Sequence, residues 1–421
     1  MIKMKTMKLL AGAAILLLSA TLVSCSKGLY EDADATYERD KGDYSEAMPG
    51  EGGAEGDYGD YGVTEPGGEG NHQGGEAGVL TAGEWRDLDH WDFWIQKILG
   101  SQSFGSELTQ WQFNTCGRIA VRVKDASGEP VANVPVILRL GSKDLWEART
   151  SNAGVANLWL NLYGGEDTAE EVFLVVGGSE LKNAKVLVSA AKEEEEPVLW
   201  NEVTYTPAKA AAKKADIAFI VDATGSMGDE IEFLKKDLLS ILTSVAQSQA
   251  GVEIRTGAVF YRDEGDEYVT RSHDFTTNTS KTMEFVGKQQ ANGGGDLPEA
   301  VHTALEVSLK DLSWNLEARS RIAFLVLDAP AHGDRQKVID SLQKSIRSFA
   351  QAGIRIIPVV ASTSDKATEF MSRNFAIVTG GTYVFLTNDS GVGGEHLEAT
   401  VGEYQVEKLN DLLVRLINEF I

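Results

Sequence analysis

Asp222, Thr224 and Ser226 stand at alternate positions, one carboxylate and two hydroxyls, within ADIAFIVDATGSMG at 215–228. Such a set is hard and oxygen-only. It suits Mg²⁺ or Mn²⁺, which take one or two carboxylates, neutral oxygens and retained waters in an octahedral shell. Asp, Ser and Thr also cap helices routinely, so the triplet alone fits a plain N-cap equally well. Two later stretches weigh against that reading. GGGDLPEA at 293–300 carries Asp296 and Glu299 on a glycine turn before a helical pattern, and RIAFLVLDAPAHG at 321–333 ends an apolar run on Asp328.

The elements around these residues explain how they could meet. The run at 217–221 is continuous, apolar and β-branched, which predicts one buried strand. From 229 to 245 the pattern turns helical, with Ile231, Leu234, Leu238, Leu239, Ile241 and Leu242 on its apolar face. Asp222, Thr224 and Ser226 therefore belong to a strand-to-helix turn. Asp328 closes a second apolar strand, and in an open α/β sheet both would reach the carboxyl edge where ligands bind.

At this point the sequence resembles the von Willebrand factor A fold and its metal-ion-dependent adhesion site, D-x-S-x-S followed by a Thr or acid and then an Asp. Asp222, Thr224 and Ser226 match the first element with Thr in the middle, and Asp328 matches the last. The D-x-P-E at 296–299 departs from the commonest form and is similar to integrin β subunits, as are FYRD at 260–263 and DAPAH at 328–332. The resemblance implies a central metal at Asp222, Thr224, Ser226, Glu299 and Asp328. It implies that Asp263 and Asp296 serve a second cation such as Ca²⁺. It also implies a protein partner that supplies a carboxylate to the central metal.

The rest of the 421-residue chain gives this domain its setting. We read a targeting segment at 1–24, an acidic Gly-rich tether at 25–79, a Trp-rich helical segment at 80–114, a β-sandwich at 115–207, a linker at 208–214 and the α/β domain at 215–421. Lys3, Lys5 and Lys8 precede an apolar core at 9–18, and LVSC at 22–25 resembles a bacterial lipobox, which implies lipidation at Cys25. Cys116 is then the remaining thiol, expected as a small buried residue. The tether holds too little apolar surface to offset its chain entropy and would span roughly 40 Å. A net charge of −24 excludes nucleic acid as a natural partner, because phosphate binding needs a basic face.

Trp85, Trp91, Phe93, Trp94, Ile95, Ile98, Leu99 and Trp111 crowd one short segment. A helix over 86–99 docked on its neighbours fits the spacing, and an exposed aromatic patch for carbohydrate or peptide is the alternative. LTAGEW ahead of it resembles bacterial lipoproteins with the same domain pair. Between 117 and 206, short strands at 119–123, 134–140, 146–150, 155–160, 172–176 and 185–189 alternate with Gly turns, as in a sandwich. VKDASGEPVANVPVIL with TSNAGVANL resembles carboxypeptidase-regulatory-like or immunoglobulin-like modules. Strands at 252–261, 322–327, 354–360 and 383–386 then alternate with helices at 282–290, 298–309, 335–350, 367–377 and 405–420. A short antiparallel strand is expected near 267–271.

The expected fold is α/β, a doubly wound von Willebrand factor A (Rossmann-like) domain preceded by an all-β sandwich and a disordered N-terminal tether. Hydrolase, phosphatase, nucleotide-binding and zinc-protease motifs are lacking in the sequence. The functional expectation is a non-enzymatic lipoprotein of the cell envelope, anchored to the outer membrane at Cys25, whose metal binds a protein partner. The alternatives are a periplasmic scaffold with a structural metal and a metal-dependent hydrolase. The loop at 388–403 leaves the same edge, and its Asp389, His396 and Glu398 are expected on the ligand rim.

Overall fold

The computed structural model describes residues 80–164, 171–189, 198–295, 297–361, 364–390 and 397–421. The targeting segment with Cys25, the tether, Asp296 and His396 fall outside them.

The chain enters at strand β1 (Thr81–Trp85), then makes a helical turn at Trp91–Phe93, a π-helical stretch at Trp94–Leu99 and helix α1 (Gly105–Trp111). The single helix expected over 86–99 is thus broken. Its first residues form a turn because Asp87 is fixed there: Trp85 Nε1 donates to its Oδ1 at 3.1 Å, and Arg373 Nε donates to its Oδ2 at 3.0 Å. Trp85, Trp91, Trp94 and Trp111 are all buried, so the tryptophans are core and not an exposed patch. Trp91 packs on Trp159 at 5.9 Å, while Trp94 and Phe104 pack on Phe370 at 5.9 and 5.8 Å.

Strands β2 (Arg118–Lys124), β3 (Pro135–Leu140), β4 (Lys143–Arg149), β5 (Val155–Trp159), β6 (Val172–Val176), β7 (Ser179–Glu180) and β8 (Trp200–Thr204) follow. They form a three-stranded sheet, β5-β2-β8, and a four-stranded sheet, β4-β3-β6-β7. The strand expected at 185–189 does not form a ladder. Asn201 intercepts it, its side chain accepting from Leu187 N and donating to Leu187 O, both at 2.9 Å. Cys116, in the turn before β2, is half-buried and not fully enclosed.

The remaining elements are β9 (Ala212–Asp222), α2 (Gly228–Ser248), β10 (Glu253–Tyr261), β11 (Thr270–Thr276), α3 (Thr279–Gly287), α4 (Val301–Asp311), β12 (Ala318–Leu327), α5 (Gln336–Ala352), β13 (Arg355–Val360), α6 (Lys366–Thr379), β14 (Tyr383–Leu386), β15 (Glu407–Lys408) and α7 (Leu409–Phe420). The central sheet has eight strands in the order β11-β10-β9-β12-β13-β14-β1-β15. Strands β10, β9, β12, β13 and β14 run parallel, and β11 and β1 flank them antiparallel. The sheet is therefore mixed. Residues 80–85 close the far edge of β14, and β9 already begins at Ala212, inside the expected linker.

Alternation along β9 divides the core. Ile217, Phe219 and Val221 join one apolar cluster with α2 and α7, and Ala218 and Ile220 join another with α5 and α6. That is the signature of a sheet covered on both faces. The second cluster continues without a break into the small sheets, through Trp159, Val136 and Trp146. Among the described residues, no helix is long and apolar enough to cross a membrane.

Candidate metal centre

Asp222 is the last residue of β9, paired across to Tyr261 at the end of β10, and Asp328 follows the last residue of the neighbouring β12. Both carboxylates thus reach the carboxyl edge of adjacent parallel strands. Thr224 folds back on Asp222, donating its backbone N–H to Oδ1 at 2.9 Å and its hydroxyl at 2.7 Å. Asp222 Oδ2 is buried with the Tyr261 hydroxyl as its polar neighbour, and neither atom makes a hydrogen bond of good geometry.

Glu299 arrives from another direction. Helix α4 starts only at Val301, later than its pattern suggests, because Glu299 N donates to Pro330 O at 2.8 Å and Glu299 bridges to Ala331 as a parallel strand would. The extended backbone carries its carboxylate to the same edge. There Gly294 gives way: with φ near +76°, a Cβ on it would stand 3.2 Å from Glu299 Oε1 and 3.3 Å from Thr224 Cβ. Glu299 Oε2 and Asp328 Oδ1 are also buried without partners. Ser226 is exposed at the mouth, beside the Asp328 carboxylate, whose upward shift it moderates.

The carboxylates feel each other strongly. Burial and then the charge of Asp328 push Asp222 up to about 7. Burial and the charges of Asp222, Asp263, Asp328 and Asp266 push Glu299 up to about 9. Burial raises Asp328 as well. Three crowded acids, each with an orphaned oxygen, could contribute carboxylates to a divalent-cation site. Among the described residues, no three His, Cys, Asp or Glu side chains could hold an ion by themselves. The fit therefore needs the hydroxyls of Thr224 and Ser226 and retained water, a shell typical of Mg²⁺.

The arrangement makes metal-free stability fall with rising pH. The folded chain holds protons on Asp222 and Glu299 up to about 7 and about 9, whereas the unfolded chain releases them near ordinary carboxylate values. Between those limits the native state binds more protons, so its stability drops as pH climbs from about 5 to about 9. Melting the chelator-treated chain at intervals across that range should show this fall, and Glu299→Gln should flatten most of it above pH 7. A flat profile in the wild-type chain would show that the acids do not interact as described.

Asp263 is placed beside the centre but already has a partner, since His332 Nε2 lies 2.7 Å from its Oδ1. The residue that sequence reasoning passed over is Asp266. Its Oδ2 accepts from Gly294 N at 3.0 Å and from Asp263 N at 3.2 Å, so it ties the glycine turn to the end of β10. The GGG at 293–295 was the signal, because such a turn invites a carboxylate to accept its amides. Asp389 and Glu398, the residues expected on the rim, are exposed. Thr400 is anchored instead, its N–H donating to Glu369 Oε1 at 2.7 Å.

A strand-ending Asp, a hydroxyl turn and a second strand-ending Asp on a parallel sheet define a recognisable class. Residues 216–391 match the family model described as von Willebrand factor A domain, and a domain of this kind is found there. Such domains generally serve protein–protein interaction or adhesion. The chain is 31% identical over 151 residues to the alpha-protein kinase vwkA of Dictyostelium discoideum, covering 35% of this chain and 24% of that protein. It is 27% identical over 213 residues to an ariadne-like RING finger protein of Acanthamoeba polyphaga mimivirus, covering 49% and 21%. The chain thus spans less than a quarter of the length of these relatives. Among solved structures, it is similar to proximal thread matrix protein 1 of the mussel byssus, at 15% identity and TM-score 0.30 over 40% of this chain and 41% of that one. It is also similar to the pilus adhesin SpaC of Lactobacillus rhamnosus GG, at 13% identity and TM-score 0.33 over 49% and 30%.

Proposed function

We propose that the von Willebrand factor A domain of this chain binds a protein partner through a divalent cation, Mg²⁺ or Mn²⁺. Asp222, Thr224, Ser226, Glu299 and Asp328 would hold the ion, and the partner would supply a carboxylate to its open position. The observation that carries this reading is the set of three buried carboxylates with unpartnered oxygens at one sheet edge. Asp389 and Glu398, both exposed, would form the rim where a partner is selected. In this reading the chain is a non-enzymatic envelope lipoprotein. Cys25 would anchor it to the outer membrane, and the small sheets would serve as an immunoglobulin-like spacer.

The test is retention of envelope proteins on the immobilised full chain. Proteins retained with Mg²⁺ should be released by chelator and should not bind Asp328→Ala. Retention that survives chelator unchanged would contradict a carboxylate-to-metal contact and favour a metal that only locks the fold.

A narrower exchange separates recognition from metal binding. Replacing residues 391–397 by a short Gly-Ser turn leaves the Thr400 anchor intact. Metal affinity should stay within about twofold, while partner retention should fall at least tenfold. Unchanged retention would move recognition to the other side of the rim, around Asp263 and Glu264.

A further inference from the structure

The opposite edge of the sheet carries charge of the other sign. A cavity of about 390 Å³ opens between the small sheets and the ends of α5 and α6, beside Arg355 at the start of β13. Arg86, Arg118, Arg122, Arg149 and Arg355 line it. Two of them are neutralised: Arg86 pairs with Glu419 at 2.7 Å, and Arg122 pairs with Glu202 at 2.6 Å. Asp89 also lines the cavity, 3.7 Å from Arg86, and its charge partly offsets that of Arg118, but among the described residues no carboxylate forms an ion pair with Arg118, Arg149 or Arg355.

These three guanidinium groups are held in place by neutral acceptors. Arg118 donates to Leu88 O at 2.7 Å and Asn157 Oδ1 at 2.9 Å, and its guanidinium lies 4.8 Å from the Trp91 ring centre. Arg355 donates to Gly353 O at 3.2 Å. Arg149 donates to Asn133 O at 3.3 Å, and its Nε is buried without a partner. Arg118 and Arg355 are only 2% and 5% exposed. Arg321 adds a further positive charge behind them, its Nη2 lying 2.9 Å from where a Cβ on Gly353 would be.

Burial of unpaired charge is expensive, and this chain has acids in excess, at 63 Asp and Glu against 39 Lys and Arg. The carbonyl ends of α5 and α6 supply only about half a charge each. Burial lowers Arg118 to about 9 against a partial offset from Asp89, and burial with the charges of Arg321 and Arg86 lowers Arg355 to about 9, a sign that the compensation is incomplete. Guanidinium forks match the paired oxygens of phosphate and carboxylate. Trp200 and Phe420 add apolar walls, and the volume falls in the range of small-molecule sites, about 300–1,000 Å³.

We propose that this cavity binds a small organic anion carrying two or more phosphate or carboxylate groups, gripped by Arg118, Arg149 and Arg355. The site is independent of the metal centre, at the far edge of the sheet. It joins the small sheets to the α/β domain, so its ligand would fix one against the other.

Titration calorimetry on the full chain, stripped of metal with chelator and dialysed, tests this with pyrophosphate and citrate. One saturable site is expected for at least one anion, and the preferred anion names the phosphate or the polycarboxylate class. Arg355→Gln should weaken binding at least tenfold. Arg149→Gln is half-buried and tolerates truncation better, so it serves if Arg355→Gln does not fold, and it should also weaken binding at least tenfold. Absence of saturable binding of either anion below the millimolar range would overturn the proposal. So would affinities unchanged in both variants.

Discussion

Replacing Asp87 by Ala is expected to destabilise the chain by about 3–5 kcal/mol, the cost of leaving a buried charge without its partner. Arg373 is completely buried on α6 and grips Asp87 with two nitrogens, Nε at 3.0 Å and Nη2 at 2.5 Å. Its third nitrogen is shared between Glu369 Oε1 at 3.0 Å and Thr400 O at 2.7 Å. Glu369 is itself committed to Lys366 at 2.8 Å, so it cannot take over the whole guanidinium. Asp87 lies two residues past β1, and losing it would free the strand that joins β15 to β14. Asp87→Asn keeps the shape and one acceptor and should cost less. Denaturant melts of the three chains check the order, and a loss below about 1 kcal/mol for Asp87→Ala would show that the network is dispensable.

The second large effect belongs to the metal edge. In the proposed account, Mg²⁺ at ten times its Kd stabilises the fold by about 1.4 kcal/mol. This corresponds to a rise in Tm of roughly 2 °C for a fold of about 300 residues melting together, and roughly 3–5 °C for an α/β domain of about 200 residues melting by itself. Asp222→Asn should abolish that rise. The same change should leave the metal-free chain at pH 8 as stable as wild type or more so, because it removes one member of a repelling, buried trio. Opposite signs with and without metal are the mark of a ligand. A mere capping residue would show neither effect, because Asn caps a helix about as well as Asp does. Partner retention should vanish with Asp222→Asn, since the ion it requires would be gone.

Much of this edge was legible because the information is local. An apolar run ending on Asp222 or Asp328 declares a buried strand and where it stops, and the helical pattern after Gly228 supplies the turn. Glu299 could be named as well, although its extended backbone could not, since that depends on Pro330 and Ala331 thirty residues later. The antiparallel flank at β11 was expected, a few residues early, but the flank at β1 was not legible. Residues 81–85 read as the lead-in to a helix, and only β14, three hundred residues on, turns them into a strand. The strand expected at 185–189 failed for a related reason, since the Asn201 side chain takes the bonds a ladder would have used. The pairing of Asp87 with Arg373, and the gathering of Arg118, Arg149 and Arg355, likewise join residues whose separation leaves no periodic trace. Asp266 lies between these cases, visible only once the glycine turn at 293–295 is asked which acceptor it faces.

The most direct test of the central claim is a calorimetric titration of Mg²⁺, repeated with Mn²⁺, into the chelator-stripped chain and into Asp222→Asn and Glu299→Gln. The account predicts saturable binding to the wild-type chain and a loss of about a hundredfold or more in either variant, since even residues behind a metal's ligands cost 10–100-fold when removed. Binding of equal strength in all three chains, or none in the wild type, would contradict a metal centre at Asp222, Thr224, Ser226, Glu299 and Asp328.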